Sequence, residues 1–252
     1  MDHNALIDLS VELGRRLMES GAEIHRVEDS LRRLMSAYGE DDAQVFAIPN
    51  CFWIGLSPQG EAPITRLCRI PPHGIDLDTL ELCNAACRRL CREKPPLEDA
   101  LRQVAAIDAD RPRYAAPLIL AGHFMVGAFF TPFFGGGAVD ALCGGLCGLA
   151  VGLTARLFRR MLANDFFRTL LSSALATFLA FALARFGIAR DPDSVTIGAL
   201  MLLVPGTALV TAMREVVAGD IVSGVTRFAE VILTAAAIAL GAGLGMVFGR
   251  ML

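Results

Sequence analysis

The sequence predicts an α-helical integral membrane protein of about five transmembrane helices, with an N-terminal α+β domain on the cytoplasmic side. Three observations carry that reading: long apolar runs confined to the second half, an uneven spread of charge, and a change of hydrophobic period within the first 112 residues. Of the 252 residues, 54% are hydrophobic and 19% are charged, and the mean hydropathy is +0.51. Residues 1–112 hold 19 acidic and 13 basic side chains, whereas residues 113–252 hold 7 and 10. So few charges among such runs exclude disorder, and exclude a soluble domain of ordinary composition for the whole chain. A net charge of −3 gives no basis for nucleic-acid binding.

The first domain spans residues 1–112. A helix over Asn4–Glu19 places Leu6, Leu9, Leu13 and Leu17 on one stripe, and Ser20-Gly21 ends it. A second helix from Glu23 carries Ile24, Val27, Leu31 and Leu34. The period then changes. The segments AQVFAIP, CFWIGLSP and ITRLCRIPP are short, apolar or alternating, and bounded by Pro, Gly and Asn, which is the pattern of strands. Helical spacing returns over Asp76–Arg92 and Leu97–Asp108, divided by Pro95-Pro96.

The membrane domain spans 113–252. Five runs approach the roughly 20 apolar residues that a crossing needs: 115–131, 136–158, 166–188, 194–213 and 225–248, the fourth interrupted by Pro205-Gly206. The N-terminus reads as an amphipathic helix rather than a signal peptide. Arg111, Arg113, Arg156, Arg159, Arg160, Arg168, Arg214 and Arg227 flank the loops on one side. Arg185, Arg190 and Arg250 lie on the other, with Asp191 and Asp193 among them. By the positive-inside rule, the N-terminal domain is expected in the cytoplasm and the C-terminus outside.

Seven cysteines, an odd number, argue against a disulfide framework. Cys83, Cys87 and Cys91 share a helix face, but three thiols strung along a helix do not converge on one ion, so they read as small core residues. In the first domain, Glu23, His25, Arg26, Glu28, Asp29 and His73 are the candidates for chemistry. They form no nucleophile–base set, phosphate loop or metal pattern, so no cofactor or metal is expected. Glu23, Arg26 and Glu28 read as a solvated or docking face of the second helix.

Ionisable groups in membrane helices are costly and mark sites. Asp220, Ser223, Arg227, Glu230 and Thr234 fall within an arc of roughly 80° at about 100° per residue, one polar seam. It continues into Gly241, Gly245 and Gly249, a surface for close helix contact. Either the seam lines a water-filled cavity or Arg227 and Glu230 are a structural i, i+3 pair. Pro205 and Gly206 break the fourth run, as interrupted transporter helices do. Thr207, Thr211 and Arg214 follow on one face with Glu215 beside them. His123 and Asp140 are lone ionisable residues in the first two runs.

The segment ESGAEIHRVEDSLRRL, Glu19–Leu34, resembles a signature of the threonine/serine exporter family. PGTALVTAMREVVAGDIVSGVTR, Pro205–Arg227, resembles the second signature of that family, with Glu215 where Asp is usual. That change keeps the charge and lengthens the arm. The resemblance implies an inner-membrane exporter of small metabolites. It is similar to the larger subunit of a split form that exports succinate with a small multi-spanning partner. That partner is implied by the resemblance; homo-oligomerisation is left open.

Three functions follow as expectations: a secondary transporter subunit for a small carboxylate or amino acid, a membrane-anchored cytoplasmic enzyme, or a sensor or scaffold. Five spans, a Pro-Gly break and a polar seam exceed what an anchor needs. No ATP-binding loop is evident, which points to an ion gradient or the substrate's own gradient as the driving force. The residues expected to bind or pass substrate are Pro205, Gly206, Thr207, Thr211, Arg214, Glu215, Asp220, Ser223, Arg227, Glu230 and Thr234. Glu23, Arg26, Glu28 and Asp29 form the motif of the first domain.

Overall fold

The computed structural model describes residues 2–58, 60, 62–71, 74–161 and 164–252, without the side chains of 110 and 159–161. His73, and the side chains of Arg159 and Arg160, lie outside the described residues. In chain order the elements are α1 (His3–Glu19), α2 (Ile24–Ala37), β1 (Gln44–Ile48), β2 (Cys51–Leu56), β3 (Ile64–Arg69), α3 (Leu77–Glu93), α4 (Leu97–Asp110), α5 (Ala116–Phe133), α6 (Ala138–Met161), α7 (Asp165–Arg185), α8 (Pro192–Leu200), α9 (Gly206–Ala218) and α10 (Ile221–Met251). They form two compact units, Met1–Arg113 with Val210–Phe228, and Tyr114–Leu209 with Ala229–Leu252.

In the first unit, Asp2 caps α1 by accepting the Asn4 and Ala5 amides. The expected stripe Leu6, Leu9, Leu13 and Leu17 is buried, as are Ile24, Val27, Leu31 and Leu34 of α2. The three expected strands form one antiparallel sheet in the order β1-β2-β3. Its inner face sends Val45, Ala47, Phe52, Ile54 and Leu56 into the same core. The outer backbone edge of β1 is covered by α2: Arg32 donates to the Val45 carbonyl and the Ala47 amide donates to Glu28, each at 2.8 Å. Cys83 and Cys87 of α3 are buried in this core as the sequence suggests. Burial pushes their thiols up to about 11 and about 12, which leaves them protonated and unreactive.

In the second unit, α5, α6, α7 and α10 are long and apolar enough to cross a membrane. The run 194–213 is not one helix. It divides into α8, of 9 residues, and α9, of 13, with Met201–Pro205 between them. Pro205 offers no amide to a continuing helix and disfavours helical backbone at Val204, so the helix stops and restarts. The count of about five spans therefore resolves into four candidate spans and a broken pair.

Small residues set the helix contacts. A Cβ on Gly245 would overlap the Ala174 carbonyl and lie 2.9 Å from the Phe178 nitrogen, and one on Gly241 would overlap the Leu170 carbonyl. The glycine face of α10 is thus packed against the backbone of α7, and Ser173 adds a 2.7 Å hydrogen bond to the Ile238 carbonyl. Gly127 and Gly144 bring α5 against α6 in the same way. Val222, Val225, Ile232 and Val247, on the opposite side of α10, are exposed. Asp140, 2% exposed, accepts the amides of Gly137, Arg190 and Asp191 at 2.6–3.2 Å. Its role is to anchor the turn between α7 and α8.

Candidate functional site

Two glycine turns build the site, and both belong to the first unit. Gly21, at φ +86°, follows α1; its amide donates to Met18 and that of Ala22 to Leu17. Gly219, at φ +98°, follows α9; its amide donates to Val216 and that of Asp220 to Glu215. These are two copies of one helix stop, in which a left-handed residue satisfies the last carbonyls, and glycine adopts that backbone without a Cβ clash. The second turn reverses the chain, so α10 starts back along α9. A Cβ on Gly224 would lie 2.9 Å from the Ala212 carbonyl, so the two helices cross closely there.

The reversal sets Arg227 of α10 against Glu215 of α9, with Nε and Oε1 3.0 Å apart. The side chain of Glu215 is fully buried and that of Arg227 is 11% exposed. The pair reaches α2 through two backbone groups. The Ile24 amide donates to Glu215 Oε1 at 3.3 Å, and Arg227 Nη2 donates to the Ala22 carbonyl at 3.1 Å. Glu23 stands at the cap position of α2 but makes no side-chain cap. Glu215 therefore serves a free amide of that helix end from 191 residues away. Nearby, Glu23 collects Arg214 at 3.1 Å and Arg26 at 2.9 Å.

The cluster is incompletely satisfied. Among the described residues, Glu215 Oε2 and Asp220 Oδ2 are buried with no hydrogen-bond partner, and Arg227 Nε, though close to Glu215, donates to no acceptor. Burial penalises the charge of Glu215; Arg227 and the Ile24 amide oppose that penalty, and the acidic Asp220 and Glu23 add to it. Buried polar atoms left without a partner in this way mark a place where a polar ligand would be served.

The expected site residues fall into distinct groups. Glu23, Arg26, Arg214, Glu215 and Arg227 form one network. Asp220 sets a like charge near Glu215 from the turn, and Ser223 is buried one helical turn before Arg227. Thr211 is half-buried on α9. Thr207 and Gly206 are exposed, and Pro205 closes the break before α9. Glu230 is exposed and Thr234 is half-buried, its hydroxyl on the Glu230 carbonyl. Of the alternatives for Arg227, a structural pair with Glu230 is not formed; Arg227 meets Glu215 instead, because the hairpin presents a buried carboxylate from the neighbouring helix. Glu28 serves β1, as above. Asp29 pairs with Arg33 in solvent. The backbone contributions of Ala22 and Ile24 carry no sequence signal beyond the Ser-Gly turn before them. Among the described residues, no group of His, Cys, Asp and Glu is arranged to hold a metal.

Four apolar helices of crossing length mark a multi-pass membrane protein, in which the buried Arg227–Glu215 pair also bonds the backbone of the first signature segment. The chain belongs to the threonine/serine exporter family, whose profile matches residues 8–249. It is 22% identical to a threonine/serine exporter of Corynebacterium glutamicum over 100% of this chain and 53% of that protein. It is also 24% identical to two uncharacterised proteins of Schizosaccharomyces pombe, over 95% and 93% of this chain and 29% and 32% of theirs. The chain therefore spans about half the length of the bacterial relative and under a third of the other two. No solved structure matches it.

Proposed function

We propose that the chain is a subunit of an inner-membrane secondary transporter, rather than an enzyme, and that it exports a small carboxylate or amino acid. Threonine and serine enter through the name of the bacterial relative; a succinate-like dicarboxylate enters through the likeness to the split form. In this reading a small multi-spanning subunit of the same family completes the transporter. The N-terminal domain faces the cytoplasm, the C-terminus lies outside, and α8 with α9 makes a fifth, broken crossing.

The observation that carries the reading is the Arg227–Glu215 pair. A carboxylate entering a low-dielectric site needs a cation, and a guanidinium can bind it through two parallel hydrogen bonds. Here the guanidinium is held by an internal carboxylate, Glu215, whose second oxygen is unserved. Substrate takes the place of Glu215 on Arg227, and Glu215, released, takes a proton or remains on the Ile24 amide. Arg214, 62% exposed, offers a second cation toward solvent.

The test is co-expression with a candidate small membrane subunit, followed by profiling of the medium for amino acids and dicarboxylates. Accumulation of threonine, serine or a dicarboxylate that requires both chains and Arg227 is the expected result. An unchanged medium, with both chains present in the membrane, overturns the reading.

A further inference from the structure

The sheet of the first unit has two unlike faces. Its inner face is core. Its outer face presents Gln44, Phe46 and Ile48 from β1, Cys51, Trp53 and Gly55 from β2, and Thr65, Leu67 and Arg69 from β3. The register sets Phe46 opposite Trp53 and Trp53 opposite Leu67, so three large apolar side chains form one row across the sheet. The rings of Phe46 and Trp53 lie 5.7 Å apart, and Phe46 and Leu67 are 60% and 61% exposed. An apolar row in the middle of an exposed sheet is a cost in water, and such patches mark contact surfaces.

Charge identifies what the face fits. Residues 1–112 carry 19 acidic side chains, yet none of these nine outer positions is acidic, and their one charge is Arg69. The face is aromatic, aliphatic and weakly basic in an otherwise acidic segment. That is the chemistry of a lipid headgroup zone, where indole and phenyl rings settle and guanidinium groups meet phosphate. The tether agrees with it. Only residues 111–115 separate α4 from the apolar helix α5, a link of roughly 20 Å at full stretch.

We propose that the outer face of β1–β3 is a peripheral membrane-docking surface, with Trp53 and Phe46 in the headgroup region and Arg69 on a lipid phosphate. The inference is independent of the substrate reading. Trp53 is the only tryptophan in the chain, so its fluorescence reports on this face in the intact protein.

The experiment reconstitutes the full-length chain in phosphatidylcholine vesicles, and in vesicles mixed with phosphatidylglycerol. Some lipids are brominated near the headgroup end of the acyl chain. About half of the Trp53 emission is expected to be lost to the brominated lipid, with protection from aqueous iodide. The Phe46→Ser/Leu67→Ser variant, changed only at exposed positions, is expected to lose that quenching while keeping the wild-type melting temperature. Three outcomes overturn the proposal. Emission open to iodide and untouched by bromine makes the face solvated. Emission shielded from both makes it a protein contact. Bromine quenching that is equal in wild type and variant places the tryptophan at lipid without using this row.

Discussion

Arg227 pairs with Glu215 on the preceding helix at 3.0 Å, although Glu230 lies only one turn further along its own helix. The choice follows from burial. Glu230 is exposed, whereas Glu215 is fully enclosed and cannot leave its charge to water. A buried carboxylate binds its cation closely because the alternative is an uncompensated charge.

Arg227→Ala is expected to cost roughly 3–5 kcal/mol, because it leaves Glu215 buried without its cation. The protein should then be depleted from the membrane fraction. Arg227→Lys keeps the charge and loses the fork. Its membrane level should stay near wild type while export falls by about tenfold or more. Immunoblots of membranes beside efflux rates separate the two effects. A stable Lys variant exporting at the wild-type rate would sink the substrate-binding role.

Gly245→Leu should force α10 off α7, since even a Cβ there overlaps the Ala174 carbonyl. Overpacking of this kind costs about 1–3 kcal/mol. The expected result is a chain that inserts but melts earlier in detergent. Unchanged melting and transport would mean that the two helices do not need this contact.

A reporter placed before Asp2 is expected in the cytoplasm, and one placed after Leu252 outside. A cytoplasmic signal from both would remove the broken α8–α9 pair from the count of crossings, together with the loop-charge argument.

Much of this architecture is legible in the residues. The leucine stripe of α1, the three strand segments and the glycine face of α10 are local periodicities, and local patterns survive folding because each element must bury one face. The interruption at Pro205 is legible for the same reason, as a missing donor. The partner of Arg227 is not. It depends on a reversal at Gly219 and on a close crossing at Gly224, and nothing in helical spacing tells which of three nearby carboxylates the turn will enclose. The use of Glu28 is hidden likewise. On a helix wheel it is one more exposed acid, and only the placement of β1 gives it an amide to accept.

With Val45 and Ala47 already bonded to Arg32 and Glu28, the sheet can lengthen only past β3. Any incoming strand, from a grafted peptide or from another copy during overexpression, has one edge on which to add. On that strand Arg66 and Arg69 are both exposed, and their charges oppose stacking of like on like. Replacing them with valine should turn a self-limiting sheet into a seed for aggregation, whereas valine at Gln44 of β1 would meet an edge that is already closed.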